Sequence, residues 1–350
     1  MRPGRRHLLL SLAAGALFVV ALALGDQFLD SFQLRVSSLC AIYVVLALSL
    51  NLVNGFTGLF SLGHAGFMAV GAYTCALLTM TPEQKEMNFF LAPVVPWLAH
   101  LSVPFLPALV AAGLVAALIG FLVGAPALRL KDDYLAIATL GFAEIIRVVL
   151  TNTQTLTNGA LGLKGLPMYA TTWVVWPCAA LSVAFMVFLT RSSYGRAMKA
   201  VRDDEIAAGA MGVDVFRVKV VSFTVSSFMA GVGGALLGHL LTTIDPKMFT
   251  FMLTFNILLV VVLGGIGSIT GSVIAAIGVT ILMEVLRFLD GPLNFGLFET
   301  EARPGLRMVV FSLLLMAVVL FRQRGLMGNR EFSWSMFSRA GLARREDGRA

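Results

Sequence analysis

The sequence predicts an all-α polytopic membrane protein with about ten transmembrane helices. Of its 350 residues, 58% are hydrophobic and only 13% are charged, against about 25% charged in an average soluble domain. Apolar runs long enough to cross the roughly 30 Å hydrocarbon layer recur along the whole chain. The polar stretches between them are short, so we expect one continuous helical bundle and no separate soluble domain.

Ten apolar segments are the predicted spans. They lie at about 8–24, 34–53, 61–80, 104–124, 134–150, 173–190, 218–241, 251–265, 271–289 and 305–321. Between Met80 and Pro107 four prolines interrupt the pattern, and a helix does not run cleanly through so many. We therefore expect this segment to lie outside the membrane, at its interface.

Lysine and arginine predict the orientation. With both termini cytoplasmic, 18 basic residues fall on inner segments and 6 on outer ones, as the positive-inside rule requires. The chain then divides into a basic segment with the first span (1–33), a membrane domain (34–321) and a basic cytoplasmic tail (322–350), expected to be loosely ordered on the anionic inner leaflet.

The first span has a second interpretation. Arg2, Arg5 and Arg6, an apolar run and then Ala21-Leu22-Ala23 resemble a cleavable signal peptide. Retention is favoured because cleavage would leave an odd number of spans and spoil the charge asymmetry.

The net charge of +7 comes from these inner arginines and predicts contact with membrane lipid, not with nucleic acid. Cys40, Cys75 and Cys178 are far apart and have no metal-ligand spacing. We expect no bound metal and no cofactor on this chain.

A charged insert at residues 191–217, the coupling loop below, holds a short predicted helix. Asp203 is the predicted N-cap, with Asp204 and Glu205 in the first turn, where acids complement the helix dipole. Gly212 is the predicted C′ residue. One side of the helix is apolar, and it must pack on the membrane, on its own bundle or on a partner; that side consists of Ile206, Ala207, Ala210 and Met211.

Four stretches resemble one family. The segment Tyr194–Val213, YGRAMKAVRDDEIAAGAMGV, is similar to the E-A-A-x-x-x-G loop of bacterial ABC importer permeases, although Ile206 separates the glutamate from the alanines. It is similar above all to the branched-chain amino-acid permease family, as are Asn54–Ala65, Gly162–Pro167 and Val262–Ser268. The resemblance covers about residues 35–320 and is to the M-type permease subunit of the high-affinity importer.

The resemblance implies a function and a set of partners. The coupling loop would insert into a cytoplasmic ATPase, and the residues carried over are Gly195, Arg196, Asp203, Asp204, Glu205, Ala208 and Gly212. The implied partners are a second homologous permease, two ATPase subunits and a periplasmic or lipid-anchored solute-binding protein, in a bacterial cytoplasmic (inner) membrane. The implied substrates are leucine, isoleucine and valine, with urea or short amides as the alternative within the family.

The chain itself carries no G-x-x-x-x-G-K-[ST] motif, so ATP would be used by partner subunits. A secondary transporter is the alternative class, but it needs a repeated carboxylate or an unwound cation site near mid-membrane. An intramembrane enzyme is a third class, and neither an H-E-x-x-H motif nor a Ser-His-Asp constellation is visible. We therefore expect a permease and not an enzyme.

Glycines predict two broken helices that could line the translocation path. Gly55 and Gly58 interrupt one apolar run, after which Ser61 and His64 open the next helix. A similar break is formed by Gly264, Gly265 and Gly267. Broken helices at membrane depth are tolerated only beside protein or a water-filled cavity. His64 either faces the path and titrates near neutral pH or bonds a backbone carbonyl.

Two intramembrane charge pairs share the pattern E-[IV]-[IL]-R: Glu144 with Arg147, and Glu284 with Arg287. At a spacing of i and i+3 each glutamate can face its own arginine. Each pair either neutralises itself and fixes helix packing, or supplies a polar lining for the outer vestibule.

Overall fold

Helices make up nearly all of the secondary structure that the computed structural model of this chain describes. The structure describes residues 22, 25–26, 28–130, 132–290, 293–294, 299–300, 305–322, 325–328 and 331. Most of the predicted first span (8–24) lies outside the described residues, as does most of the tail.

The helices follow one another with short connections. They are α1 (Ser31–Asn51, extended by a π-turn at Leu52–Phe56), α2 (His64–Thr79), α3 (Pro82–Asn88), α4 (Pro96–Ala99), α5 (Phe105–Ala127), α6 (Asp132–Asn152), α7 (Gln154–Thr157), α8 (Thr172–Arg191), α9 (Ser193–Asp203), α10 (Glu205–Ala210), α11 (Val215–Leu241), α12 (Phe251–Gly264), α13 (Ile269–Val285) and α14 (Leu306–Phe321). Short 3₁₀ turns lie at Gly159–Leu161, Pro246–Met248 and Leu286–Asp290.

Four two-residue strands complete the described chain. Strand β1 (Leu163–Lys164) pairs antiparallel with β2 (Thr243–Ile244), and β3 (Leu293–Asn294) pairs antiparallel with β4 (Glu299–Thr300). The first pair joins two inter-helix segments at the same end of the bundle, with Leu163 opposite Ile244.

Seven helices in the described part of the chain are long and apolar enough to cross a membrane. They correspond to predicted spans two, four, five, six, seven, eight and nine. Helix α2, predicted as a span at 61–80, has only 16 residues and begins at His64 because Ser61–Gly63 are not helical. Helix α14 also has 16 residues. The structure therefore shows a multi-pass helical protein, while the number ten stays a prediction.

The core forms where α2, α5 and α11 pack together. Small residues allow their backbones to approach: a Cβ on Gly71 of α2 would lie 2.2 Å from the carbonyl oxygen of Gly231 in α11. Likewise, a Cβ on Gly234 would lie 2.1 Å from the Met68 oxygen. Such contacts are typical of membrane helices, which associate by close packing because lipid removes the hydrophobic drive.

The proline-rich segment after α2 folds into α3 and α4, held together by one buried lysine. Lys85 is fully buried, and its Nζ donates to the carbonyl oxygens of Leu98 at 2.8 Å and Leu101 at 2.5 Å. Burial lowers the pKa of this amine. The lysine thus satisfies carbonyls at the end of α4 in a segment with few regular hydrogen bonds.

Replacing Gly71 by alanine should destabilise the protein. The added methyl group meets backbone rather than a movable side chain, and overpacking of this kind costs about 1–3 kcal/mol. Thermal unfolding of the purified protein in detergent should show a lower Tm. The control is Gly278→Ala in α13, where a Cβ meets nothing within 4 Å; equal Tm values for the two variants would contradict the packing described.

Candidate functional site

The coupling loop forms two helices, α9 and α10, at one end of the bundle, which we call the loop end. Ser192 caps α9 by accepting from the Gly195 amide at 3.3 Å. Gly195 must be small, since a Cβ there would lie 2.4 Å from the Leu189 carbonyl oxygen. The connection from α8 into the loop is therefore tight and sterically defined.

The predicted N-cap is wrong by one residue. Asp204, not Asp203, caps α10, and its Oδ1 accepts from the amides of Ile206 at 2.8 Å and Ala207 at 2.9 Å. Asp203 ends α9, and its carboxylate pairs with Arg202. The difference arises because a second helix precedes the predicted one, and Asp204 supplies the single extended residue between them.

Gly212 ends α10 as predicted. Its φ is +85°, and its amide bonds the Gly209 oxygen while the Val213 amide bonds the Ala208 oxygen, both near 3.0 Å. This is the Schellman arrangement at a helix C-terminus. Both ends of a six-residue helix are thus capped, which gives it a defined shape despite its length.

The apolar side of α10 is uncovered. Ile206 is 86% exposed and Met211 85% exposed, whereas Ala208 is buried. Glu205 forms an ion pair with Lys219 of α11, which is nearly buried. The helix is therefore fixed to the bundle through Glu205 and Ala208 and presents two large apolar side chains outward.

The two predicted helix breaks meet at the loop end. A Cβ on Gly55, in the π-turn after α1, would lie 2.5 Å from the Gly267 amide nitrogen. Gly267 has a φ of +81° and Gly58 one of +77°, conformations that favour glycine. On the α12–α13 side, Gly264 packs against the backbone of Gly271, and Gly265 also has a positive φ.

Ser61, just before α2, and His64, its first residue, are buried, at 4% and 3% exposure. The Ser61 amide donates to Asn54 Oδ1 at 3.3 Å. The Nε2 of His64 is enclosed and finds no hydrogen-bond partner among the described residues, and both interpretations of this histidine stay predictions.

Asn51 joins the two breaks, and the sequence analysis missed it. Its Oδ1 accepts from the Gly267 amide at 2.8 Å, and its Nδ2 donates to the Ser268 oxygen at 3.0 Å and to Ser272 Oγ at 2.9 Å. The side chain is fully buried. Its signal in the sequence is a polar residue inside an apolar span, which normally faces a polar partner.

Arg202 was also missed, and it connects the coupling loop to the breaks. Its Nη1 donates to the Gly55 carbonyl oxygen at 3.2 Å, while Nε and Nη2 donate to Asp203 Oδ1. Its stem lies against Gly58, whose Cβ, if present, would be 2.7 Å from Arg202 Cγ. Lys199, three residues earlier on α9, lies 5.7 Å from the centre of the Phe56 ring.

The described part of the tail also packs on the α12–α13 break, where the sequence predicted a loose segment. The amides of Leu326 and Met327 donate to the oxygens of Leu263 at 2.8 Å and Gly264 at 3.3 Å. The Glu331 carboxylate accepts from the amides of Ile269 at 2.7 Å and Thr270 at 3.2 Å, and from the Thr270 hydroxyl at 2.7 Å. The tail thus supplies partners to backbone groups that helix ends leave open.

Beside the breaks lies a cavity of about 570 Å³. Its polar lining includes Arg191, Lys199, Arg202 and Glu331, and the π-turn contributes Phe56. The cavity separates α8 and α9 from the start of α13. The loop end therefore contains open volume between the coupling loop and the broken helices.

The two glutamate–arginine pairs lie in α6 and at the end of α13, away from the breaks. Arg147 Nε is 2.7 Å from Glu144 Oε2, and Arg287 Nη1 is 2.8 Å from Glu284 Oε1. Glu284 and Arg287 also border a cavity of about 190 Å³ together with Arg35. Each glutamate therefore faces its own arginine. The two roles suggested for the pairs, fixing helix packing and lining the outer vestibule, both stay predictions.

Comparison with known proteins gives the family. Residues 32–319 match the family model described as the permease component of the branched-chain amino acid transport system. The chain belongs to this permease family. The match covers both breaks and the coupling loop, but ends before the tail segment that packs on the α12–α13 break.

Relatives in the family include both permease types. The chain is 35% identical over 309 residues to the Escherichia coli protein named high-affinity branched-chain amino acid transport system permease protein LivM, covering 77% of this chain and 68% of that protein. It is 25% identical to LivH of the same organism, covering 88% and 99%. A probable LivM of Methanocaldococcus jannaschii is 24% identical, covering 81% and 90%. No solved structure matches the chain.

Asn51→Leu should destabilise the protein. The change removes the partner of the Gly267 amide, and a buried polar group left unsatisfied costs about 1–3 kcal/mol. The Ser268 carbonyl and the Ser272 hydroxyl also lose Asn51 but keep their bond to each other. We expect a clear fall in the Tm of the purified protein in detergent.

The matched control is Asn152→Leu, which removes an amide that bonds only within its own helix, to the Val148 oxygen at 2.8 Å. It should have little effect on Tm. A similar Tm for both variants would show that Asn51 does not hold the breaks together.

Proposed function

We propose that this chain is the M-type permease subunit of an ABC importer for branched-chain amino acids in a bacterial inner membrane. It would work with a second, homologous permease, two cytoplasmic ATPase subunits and a periplasmic or lipid-anchored binding protein. The proposal rests on the family membership and on the names of the LivM and LivH relatives. Selectivity among leucine, isoleucine, valine and smaller solutes would then lie mainly with the binding protein.

The observation that carries the proposal is the uncovered apolar side of α10. A capped helix outside the lipid that exposes Ile206 and Met211 offers the large apolar anchors on which interfaces depend. A helix that lies on a bilayer surface is typically rich in Lys and Arg on its polar face, whereas α10 carries Glu205 and no basic residue. The occupant we propose is the cleft of an ATPase subunit.

The contacts around α10 suggest how movement would enter the permease. Glu205 is tied to Lys219 in α11, and Arg202, three residues before Glu205, touches both helix breaks. A cleft that moves on ATP binding would therefore pull on a rigid two-helix unit. The chain carries no nucleotide-binding motif of its own, so the energy would come from the partner.

The topology we propose has ten spans with both termini in the cytoplasm and, accordingly, the loop end facing the cytoplasm. The support is the excess of basic residues on the inner segments. The domain division at residues 33 and 321 follows the same assignment.

Site-directed labelling should test this orientation. A cysteine at exposed Ser193 should react with a membrane-impermeant maleimide only in inside-out vesicles. A cysteine at Met87, which is 79% exposed in the segment between α2 and α5, should react only from the periplasmic side. The native cysteines are buried or half-buried and can be replaced beforehand. Labelling of both positions from one side would contradict the topology.

Charged substitutions on α10 should release the ATPase. Ile206→Asp and Met211→Asp should weaken ATPase binding about tenfold or more, because losing a central apolar anchor costs about 2 kcal/mol. Neither side chain is buried, so the permease should keep its Tm. The measurement is the amount of ATPase that copurifies with the permease, together with leucine uptake into proteoliposomes.

Met87→Asp is the matched control, since it also charges an exposed methionine but lies in the α3 segment at the other end of the bundle. It should retain the ATPase. Full copurification and uptake with both α10 variants would mean that α10 is only a surface helix. Uptake of urea but not leucine by the wild-type complex would show that the importer carries urea and not branched-chain amino acids.

A further inference from the structure

Arg202 lies where three separate parts of the chain meet. Its guanidinium reaches the carbonyl of Gly55 after α1, its stem covers Gly58, and its Nη1 would be 3.0 Å from a Cβ on Gly267 before α13. At the same time it is the penultimate residue of α9, and Asp204, two residues on, caps α10. One side chain thus touches both helix breaks and belongs to the coupling loop.

We propose that Arg202 is the positioning residue that transmits movement of the coupling loop to the two helix breaks. The inference rests on the proposed function, because it takes α10 as the point where the ATPase acts. Arg202 touches neither substrate nor nucleotide in this assignment. It acts by fixing where Gly55 and Gly267 lie relative to α9.

The orientation of the guanidinium is set by its own neighbour. Asp203 Oδ1 accepts from Nε at 3.0 Å and from Nη2 at 2.9 Å, which leaves Nη1 directed at Gly55. A planar group held on one edge in this way has little freedom to follow Gly55 by rotating. Movement of the α9–α10 unit must therefore move Gly55 or break this hydrogen bond.

The two breaks would respond together because they are already joined. Gly55 contacts the Gly267 amide, and that amide is bonded to Asn51, only four residues before Gly55. Lys199 adds a second contact from α9 to the π-turn, through the Phe56 ring. The cavity of about 570 Å³ beside this cluster gives α8 and α9 room to move against α13.

The side chain suits this role by its shape as well as by its charge. The Arg202 stem packs on Gly58, and a residue larger than glycine at position 58 would collide with it. The guanidinium binds the Gly55 carbonyl oxygen and the Asp203 carboxylate at the same time. Lysine would keep the charge but not the fork. A purely electrostatic role, in contrast, would be served by either residue.

The test is reconstitution of the complete importer in proteoliposomes with Arg202→Gln or Arg202→Lys. We expect ATPase subunits to copurify normally and ATP hydrolysis to continue, while leucine uptake per ATP hydrolysed falls about tenfold, the change that corresponds to about 1.4 kcal/mol of lost coupling. Arg202→Lys should recover only a small part of this ratio. The matched control is Arg129→Gln, an exposed arginine just after α5 and outside the coupling loop, which should keep the wild-type ratio.

A second readout follows the break directly. Ile266, between the two glycines, is 51% exposed, so its cysteine variant reports access to the α12–α13 break. In the wild-type background its labelling rate should differ between the nucleotide-free and vanadate-trapped complexes. In Arg202→Gln the two rates should become equal.

The possible outcomes separate this inference from the proposed function. Suppose that Ile206→Asp releases the ATPase, while Arg202→Gln keeps it but lowers leucine uptake per ATP hydrolysed. Both the proposed function and the inference about Arg202 are then supported. If Arg202→Gln lowers only the yield or Tm, with a normal uptake-to-ATP ratio per assembled complex, Arg202 is structural and the inference fails. If Ile206→Asp leaves ATPase binding intact, the docking assignment fails, whatever Arg202 does.

Discussion

The loop end depends on one constraint: two broken membrane helices meet backbone to backbone. A Cβ on Gly55 would lie 2.5 Å from the Gly267 amide nitrogen, and Gly267 has a φ of +81°, which favours glycine. Asn51 supplies polar partners that a break needs inside a low-dielectric bundle. A broken helix leaves amides and carbonyls open, and lipid cannot satisfy them. One buried asparagine bonds to the backbone where the two breaks meet. It supplies part of the hydrogen bonding that the breaks need, while both segments stay without regular helix.

Around this contact the structure separates rigid parts from adjustable ones. The core of α2, α5 and α11 is packed through glycines such as Gly71 and Gly234, where backbones touch. The α9–α10 unit buries Met198, Val201 and Ala208 in the hydrophobic core. It adds polar contacts on its other sides, from Arg202 to Gly55 and from Glu205 to Lys219. The polar contacts of Lys199 and Arg202 lie beside the cavity of about 570 Å³, which leaves open space on this side of the unit. The glycine contacts of the core are close-packed and leave none.

The sequence predicted those features of the fold that depend on local residue patterns. Apolar run length gave the α-helical class and most helix positions, and Gly212 ended α10 as expected. It placed the cap one residue early, because Asp203 and Asp204 are equally good caps and only the turn after α9 selects between them. Asn51 and Arg202 were missed for a different reason: each acts on residues more than 140 positions away, and no local period records such a contact.

The tail has a consequence for how the protein is made. Leu263 and Gly264 end one helix, and their carbonyl oxygens accept from the amides of Leu326 and Met327. Ile269 and Thr270 begin the next helix, and their amides donate to the Glu331 carboxylate, so all four partners lie about sixty residues later in the chain. During synthesis the α12–α13 hairpin must therefore enter the membrane before these partners exist. Its turn has to remain in contact with water until the last part of the membrane domain has been inserted, so the break is completed from the aqueous side and late.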